Sequence, residues 1–198
     1  MNSGSAKRVR DLQRQAVTDA LLEAAERVIA DKGLANAAMA DIARQAGVAV
    51  GTLYNYFPDR DGLVQVLVDT RRNAWGQAIR DALAATTGTF EARLRGFIGA
   101  VLRMFDENRR FVRILYENDL LSRGRNRTVP QTLQACMLEL LRDGAAAGAV
   151  AKRDLELRAR VLSSSMRAVV IHSLETRRPF AAETDAIVDL FLDGARPS

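Results

Sequence analysis

The sequence predicts an all-α protein, and three observations carry that prediction. Only four prolines occur in 198 residues, no segment sustains a period-two alternation of branched and aromatic side chains, and apolar residues recur instead at helical spacing. A composition of 48% hydrophobic and 27% charged residues supports a soluble globular core and excludes a disordered or collagen-like chain. The longest charge-free run, residues 45–58, is too short for a membrane helix, which needs about 20 apolar residues. No apolar stretch follows the basic start before Asp11, so no secretory leader is expected, and the single Cys136 cannot close an internal disulfide. A soluble, cytoplasmic protein without a membrane partner is the expectation.

The elements follow in order. Over residues 15–33, Val17, Leu21, Ala24, Ala25, Val28 and Ile29 fall on one stripe, which predicts an amphipathic helix closed by Gly33 as a left-handed cap. A short helix over about 37–45, a tight turn at Ala46-Gly47-Val48 and a second short helix over about 50–56 come next. Pro58 and Asp59 then break the chain and supply an N-cap for a longer helix, about 60–84. Thr86-Thr87-Gly88-Thr89 is a turn leading into a helix over 90–107, and periodic stretches at about 109–121, 129–147, 154–177 and 182–193 bring the count to nine. The Ala/Gly segment 144–151 reads as a frayed helix end rather than a linker. Two domains are expected: residues 1–58, a head with a basic N-terminal arm, and residues 59–198, a larger helical body.

The head carries the chemistry. A helix-turn-helix needs a small residue where its helices cross, a glycine in the turn where φ is free to be positive, and aliphatic side chains on the facing sides. Ala43, Gly47, Val48 and Leu53 meet those demands at consistent offsets, with Ile42 and Phe57 completing the inward face. A net charge of +5 is compatible with a nucleic-acid partner but too modest to argue for one alone.

Ile42-Ala43, Ala46-Gly47-Val48, Gly51-Thr52-Leu53-Tyr54 and Tyr56-Phe57, followed by a cation and Leu63, resemble the DNA-binding head of the tetracycline-repressor (TetR) family over about residues 15–67. The resemblance implies that the second short helix enters the major groove of a double-stranded DNA operator. Tyr54, Tyr56 and Arg60 would then touch phosphates, while Val50, Gly51, Thr52 and Asn55 face base edges. Asn bridges the N6/N7 edge of adenine, Thr bonds either way or meets a thymine methyl, and Val offers apolar contact only. Tyr54 is equally compatible with a place in the core, where Phe57 is expected. The arm Lys7-Arg8-Val9-Arg10 reads as a flexible basic tail that either lies along the minor groove or backbone or is a solvated terminus that only aids solubility.

Three positions depart from the family pattern. Ala37, Ala38 and Ala49 stand where Thr or Ser is usual, so hydroxyls that cap the two short helices and bond phosphate are absent. Asn36 is the expected substitute cap for the first short helix; the second has none.

In the body, the charge-poor stretch from Val161 to Leu174 must be covered on nearly every side. In the last helix Asp185, Asp189 and Asp193 leave Ile187, Val188, Leu190, Phe191 and Leu192 to be buried. The expectation is a homodimer through the last two helices, as in the resembled family. Trp75, Met104, Phe105, Phe111, Tyr116, Met137 and Met166 are large and adaptable, and the resemblance makes them candidates to line a cavity for a small, mostly apolar effector. That ligand would act through the helix beginning near Arg60 to separate the two heads.

No cofactor is expected, and an enzyme is disfavoured. A di-iron bundle wants two Glu-x-x-His pairs, but the sole histidine sits in the reversed order His172-x-x-Glu175. Ser165 and His172 lie about two turns apart, and Cys136 has no adjacent histidine. The sequence therefore reads as a bacterial ligand-responsive transcriptional regulator, most simply a repressor on a palindrome. The alternative is a helical small-molecule-binding protein whose head no longer binds DNA.

Overall fold

The computed structural model describes residues 3–117 and 128–195. Their regular structure is helical: α1 (Ser3–Lys32), α2 (Met39–Ala46), α3 (Val50–Tyr56), α4 (Arg60–Ala84), α5 (Phe90–Glu107), α6 (Arg109–Glu117), α7 (Thr128–Ala146), α8 (Leu155–Thr176) and α9 (Thr184–Ala195). Short 3₁₀ helices occupy Leu34–Asn36 and Phe180–Glu183. Among the described residues there is no strand, and no helix is long and apolar enough to cross a membrane. The last residues of the helix expected over 109–121 lie outside the described residues. The chain divides into two compact units, Met1–Arg71 with Ile114–Leu120, and Arg72–Arg113 with Leu121–Ser198. That division falls inside α4 rather than at Pro58.

In the first unit α1 packs on α2, and α2 on α3. Leu21, Ala25 and Ile29 of α1, Ile42 and Ala43 of α2, and Leu53 of α3 are all fully buried. α1 begins at Ser3, well before residue 15, so the arm expected to be a flexible tail is helical instead. The reason is compositional: residues 6–14 contain neither Gly nor Pro and are mostly strong helix formers, so nothing stops the helix. Gly33 ends it with φ 79° and ψ 157°, so the chain leaves in an extended direction rather than in the left-handed cap expected. Gly47, at φ 70° and ψ 27°, is left-handed. Its N–H bonds the Arg44 carbonyl at 3.2 Å while the Val48 N–H bonds that of Ala43 at 3.0 Å, the paired 5→2 and 6→1 bonds of a Schellman turn.

Asn36 does not cap α2. The N-cap is Ala38, without a side-chain bond, and the Asn36 amide donates instead to the Lys32 carbonyl at 3.1 Å, closing α1. Asn36 lies within the 3₁₀ turn, two positions before the N-cap of α2. Ala49 likewise begins α3 with no side-chain cap. Asp59 does cap α4, its carboxylate accepting from the Gly62 N–H at 2.7 Å.

In the second unit α7 packs on α8, and α5 touches α7, α8 and α9. Phe97, Ile98, Leu102, Leu140 and Phe180 are fully buried there. Thr89 caps α5, accepting from the Ala92 N–H at 3.3 Å. The end of α7 is closed, not frayed: Gly148 has φ 75°, and the Ala149 N–H reaches the Gly144 carbonyl at 2.8 Å. Val150 just beyond is buried, which gives that turn an anchor. Asp106 at the end of α5 accepts from the Phe180 and Ala181 amides at 2.9 and 3.0 Å, supplying the cap that the second 3₁₀ helix lacks within its own sequence.

Candidate nucleic-acid interface

α3 is seven residues long, and its helical spacing sorts them. Leu53 is fully buried and Phe57, immediately after the helix, is 5% exposed, so this side is held by the core. Val50, Gly51, Tyr54 and Asn55 are exposed on the other side, with Thr52 and Tyr56 half-buried along the margins. Tyr54, compatible with either place, faces outward with 49% of its surface exposed, while Phe57 serves the core. Ordinary φ and open space at the Gly51 Cβ position leave a flat spot in the outward face. The arrangement offers an amide, a phenol, an apolar side chain and a bare backbone on one short, rigid rod.

Arg60 is more committed than expected of a phosphate ligand. Its guanidinium donates to the Leu34 and Ala35 carbonyls at 3.3 and 3.2 Å and pairs with Asp61 at 3.7 Å. It therefore ties the start of α4 to the 3₁₀ turn, with 40% of its side chain still exposed. Sequence reading missed Arg14, whose guanidinium lies 5.8 Å from the Tyr56 ring centroid in a cation–π contact. It also missed the pair Lys32–Asp41 at 2.7 Å, which joins the last turn of α1 to the first turn of α2. The hydrogen bond from Lys32, with Arg44 adding to it, holds the Asp41 carboxyl below its ordinary 3.8. Both charges also suit the helix ends they occupy.

The effector candidates divide. Trp75 of α4 meets Phe105 edge-on at 5.5 Å and Phe111 at 6.0 Å between ring centroids, one aromatic cluster inside the second unit. Met104 is half-buried beside Phe105 in sequence, and Met137 and Met166 are fully buried. Tyr116 is 41% exposed and belongs to the first unit, so it is not grouped with the others. None of the seven lines the groove of about 690 Å³ that runs between α8 and α9. That groove has Leu162 and Ile187 buried in its wall, while Leu157, Val161 and Leu190 stand 54%, 54% and 78% exposed. Asp185 and Asp189 are not a free polar stripe: both pair with Arg95 of α5, which these acids and Glu91 hold still more firmly protonated. Burial raises the Cys136 thiol above its ordinary value. Among the described residues no cluster of His, Cys, Asp and Glu could hold a metal ion.

Residues 21–67 match the family described as bacterial regulatory proteins, tetR family. The head of the chain is thus similar to the tetR family. The matched stretch runs from the buried face of α1 through α2 and α3 into α4. The chain is 36% identical over 104 residues to the HTH-type transcriptional regulator BetI of Escherichia coli, a likeness covering 50% of this chain and 48% of that one. It thus spans about half the length of that relative. Over nearly the full chain the same fold recurs in SmeT, the repressor of the Stenotrophomonas maltophilia multidrug efflux pump SmeDEF. The TM-score is 0.72 at 19% identity, over 93% of each chain. It recurs also in FadR from Bacillus subtilis in complex with stearoyl-CoA, with TM-score 0.69 and 19% identity over 88% of this chain and 97% of that one. At such identities these two solved structures show the fold alone.

Proposed function

We propose that this chain is a ligand-responsive, DNA-binding transcriptional repressor that acts in the cytoplasm as a homodimer on a palindromic operator. The observation that carries the reading is the sorting of α3. Its core side is fixed by Leu53 and Phe57, and its free side presents Val50, Gly51, Tyr54 and Asn55 within the stretch that matches the family. A rod of that width fits the major groove, where Asn55 and Thr52 read base edges and Tyr54 and Tyr56 set register on phosphates. Arg60 joins them with the part of its side chain that remains exposed.

The α8–α9 groove supports the dimer. Leu157 and Val161, four residues apart on α8, and Leu190 on α9 are exposed beside Ala168, Ala186 and Gly194, whose small size allows two backbones to approach. Pairing of this face with its symmetry mate would bury that apolar surface and supply two heads for two half-sites about one helical turn apart.

The aromatic cluster of Trp75, Phe105 and Phe111 supports an effector that is mostly apolar or aromatic. A complex with stearoyl-CoA in one structural neighbour points the same way. α4 contributes residues to both compact units, so a ligand that favours one placement of α4 over another shifts DNA affinity by the ratio of its affinities for the two.

A second reading, a helical small-molecule-binding protein with a degenerate head, draws on the absence of side-chain caps on α2 and α3. Selection of bound duplexes from a random pool decides between them. The repressor reading expects enrichment of a palindrome and loss of binding with Asn55→Ala. Failure to enrich any sequence at low salt supports the second reading and overturns the first.

A further inference from the structure

The first fourteen residues contain four of the eight cations found in residues 1–60, against one acid, Asp11. They precede the stretch that matches the family, which starts at residue 21. They are also not a tail, because α1 runs unbroken from Ser3.

The helical register decides where these cations face. Lys7, Arg14, Leu21 and Val28 recur every seven residues, with Arg10 and Ala25 beside that row, so all six lie on one side of α1. Along that side burial rises steadily. Lys7, Arg10 and Arg14 are exposed, Val17 and Thr18 are half-buried, and Leu21, Ala25 and Val28 are in the core. The face that holds the head together thus turns cationic where α1 overhangs it. Arg14 marks the junction, with its guanidinium over the ring of Tyr56, the last residue of α3. Arg8 points elsewhere around the helix, and Asp11 borders the row.

We propose that Lys7, Arg10 and Arg14 of α1 form a rigid cationic strip that binds the phosphate backbone of duplex DNA flanking the segment read by α3. Lys7 lies about 10 Å beyond Arg14 along the helix axis at 1.5 Å per residue, enough to reach phosphates outside the recognised half-site. A helix about 10–12 Å across does not enter a minor groove about 6 Å wide, so the strip meets phosphates and adds affinity without adding sequence information. The inference rests on the reading of α3 as a DNA-binding element.

The test is the salt dependence of binding by the full chain, followed by fluorescence anisotropy on a duplex carrying the selected palindrome. With Lys7→Ala/Arg10→Ala, the slope of log affinity against log salt should shrink by about 0.9 per cation removed in each bound chain, with the preferred sequence unchanged. Arg8→Ala, on another face, should leave the slope as it was. Trimming the flanks from the duplex should give the parent chain the slope of the double variant. An unchanged slope in the double variant, or an equal loss in Arg8→Ala, overturns the strip while leaving α3 as the reader. A parent chain that binds no duplex at any salt overturns both, and circular dichroism of the variants excludes loss of helix as the cause.

Discussion

A Cβ at Gly47 would meet no neighbour within 4 Å, yet the backbone there is left-handed, so the demand for glycine is conformational rather than steric. Gly47→Ala should cost about 1 kcal/mol in urea unfolding, the usual penalty for an L-residue in that region. Ala49 has the extended backbone of an N-cap, φ −66° and ψ 146°, but no oxygen to offer. Ala49→Ser should add about 1 kcal/mol of stability and raise operator affinity in a mobility-shift titration, since the hydroxyl can also reach phosphate. Unchanged or weaker binding would contradict the docking of α3. The lowered Asp41 value has a defined sign. Its pairing with Lys32 and Arg44 stabilises the head above the ordinary carboxylate value and is lost as pH falls below 3.8 toward the lower folded value. The difference in melting temperature between the parent chain and Asp41→Asn should therefore shrink on acidification over that range. At this scale the sequence announced residues whose identity is forced, such as Gly47 and Leu53. It could not announce Asn36, whose type suits a cap but whose position, inside a 3₁₀ turn, sends its amide to the Lys32 carbonyl.

The three-helix head was legible element by element because its signals are local: an apolar stripe on α1, a glycine turn after α2, a carboxylate cap on α4. The start of α1 was not, because a basic charge run looks the same in a helix and in a tail until the absence of any breaker is weighed. The second unit depends on contacts distant in sequence. Asp106, whose two oxygens hold the amides of Phe180 and Ala181 while Arg109 pairs with it at 3.2 Å, gives no sign in the sequence. Asp106→Ala would leave the two amides without their acceptor and take the ion pair from Arg109, and should destabilise the second unit by about 2–3 kcal/mol in denaturant titrations. Gly144 was read as a mark of fraying, whereas a Cβ there would collide with the Phe90 ring. Gly144→Ala forces that ring aside and should cost about 1–3 kcal/mol.

For the whole molecule, helix count and order were readable from periodicity, and the distinction between a core stripe and an interface stripe was only half readable. Ile187, Val188 and Leu192 are buried within the chain, while Leu190 is 78% exposed, and periodicity alone does not separate them. The acidic residues of α9 looked like the solvent side of an interface helix, yet Arg95 claims Asp185 and Asp189 for the chain's own packing. The effector candidates were legible as bulky side chains and not as a group: three rings meet in the second unit, and Tyr116 belongs to the first. If the α8–α9 face joins two copies, Val161→Glu and Leu190→Glu, placing charge on exposed apolar positions, should shift sedimentation from dimer to monomer while leaving the helical signal intact. The central claim is that two heads, held by this face, read one palindrome through α3. Its most direct test is the stoichiometry and spacing of binding by the purified full chain to the selected duplex. Two chains per palindrome, with half-site centres about 10 base pairs apart or a multiple of it, is the result predicted. One chain per site with no dependence on that spacing would contradict it.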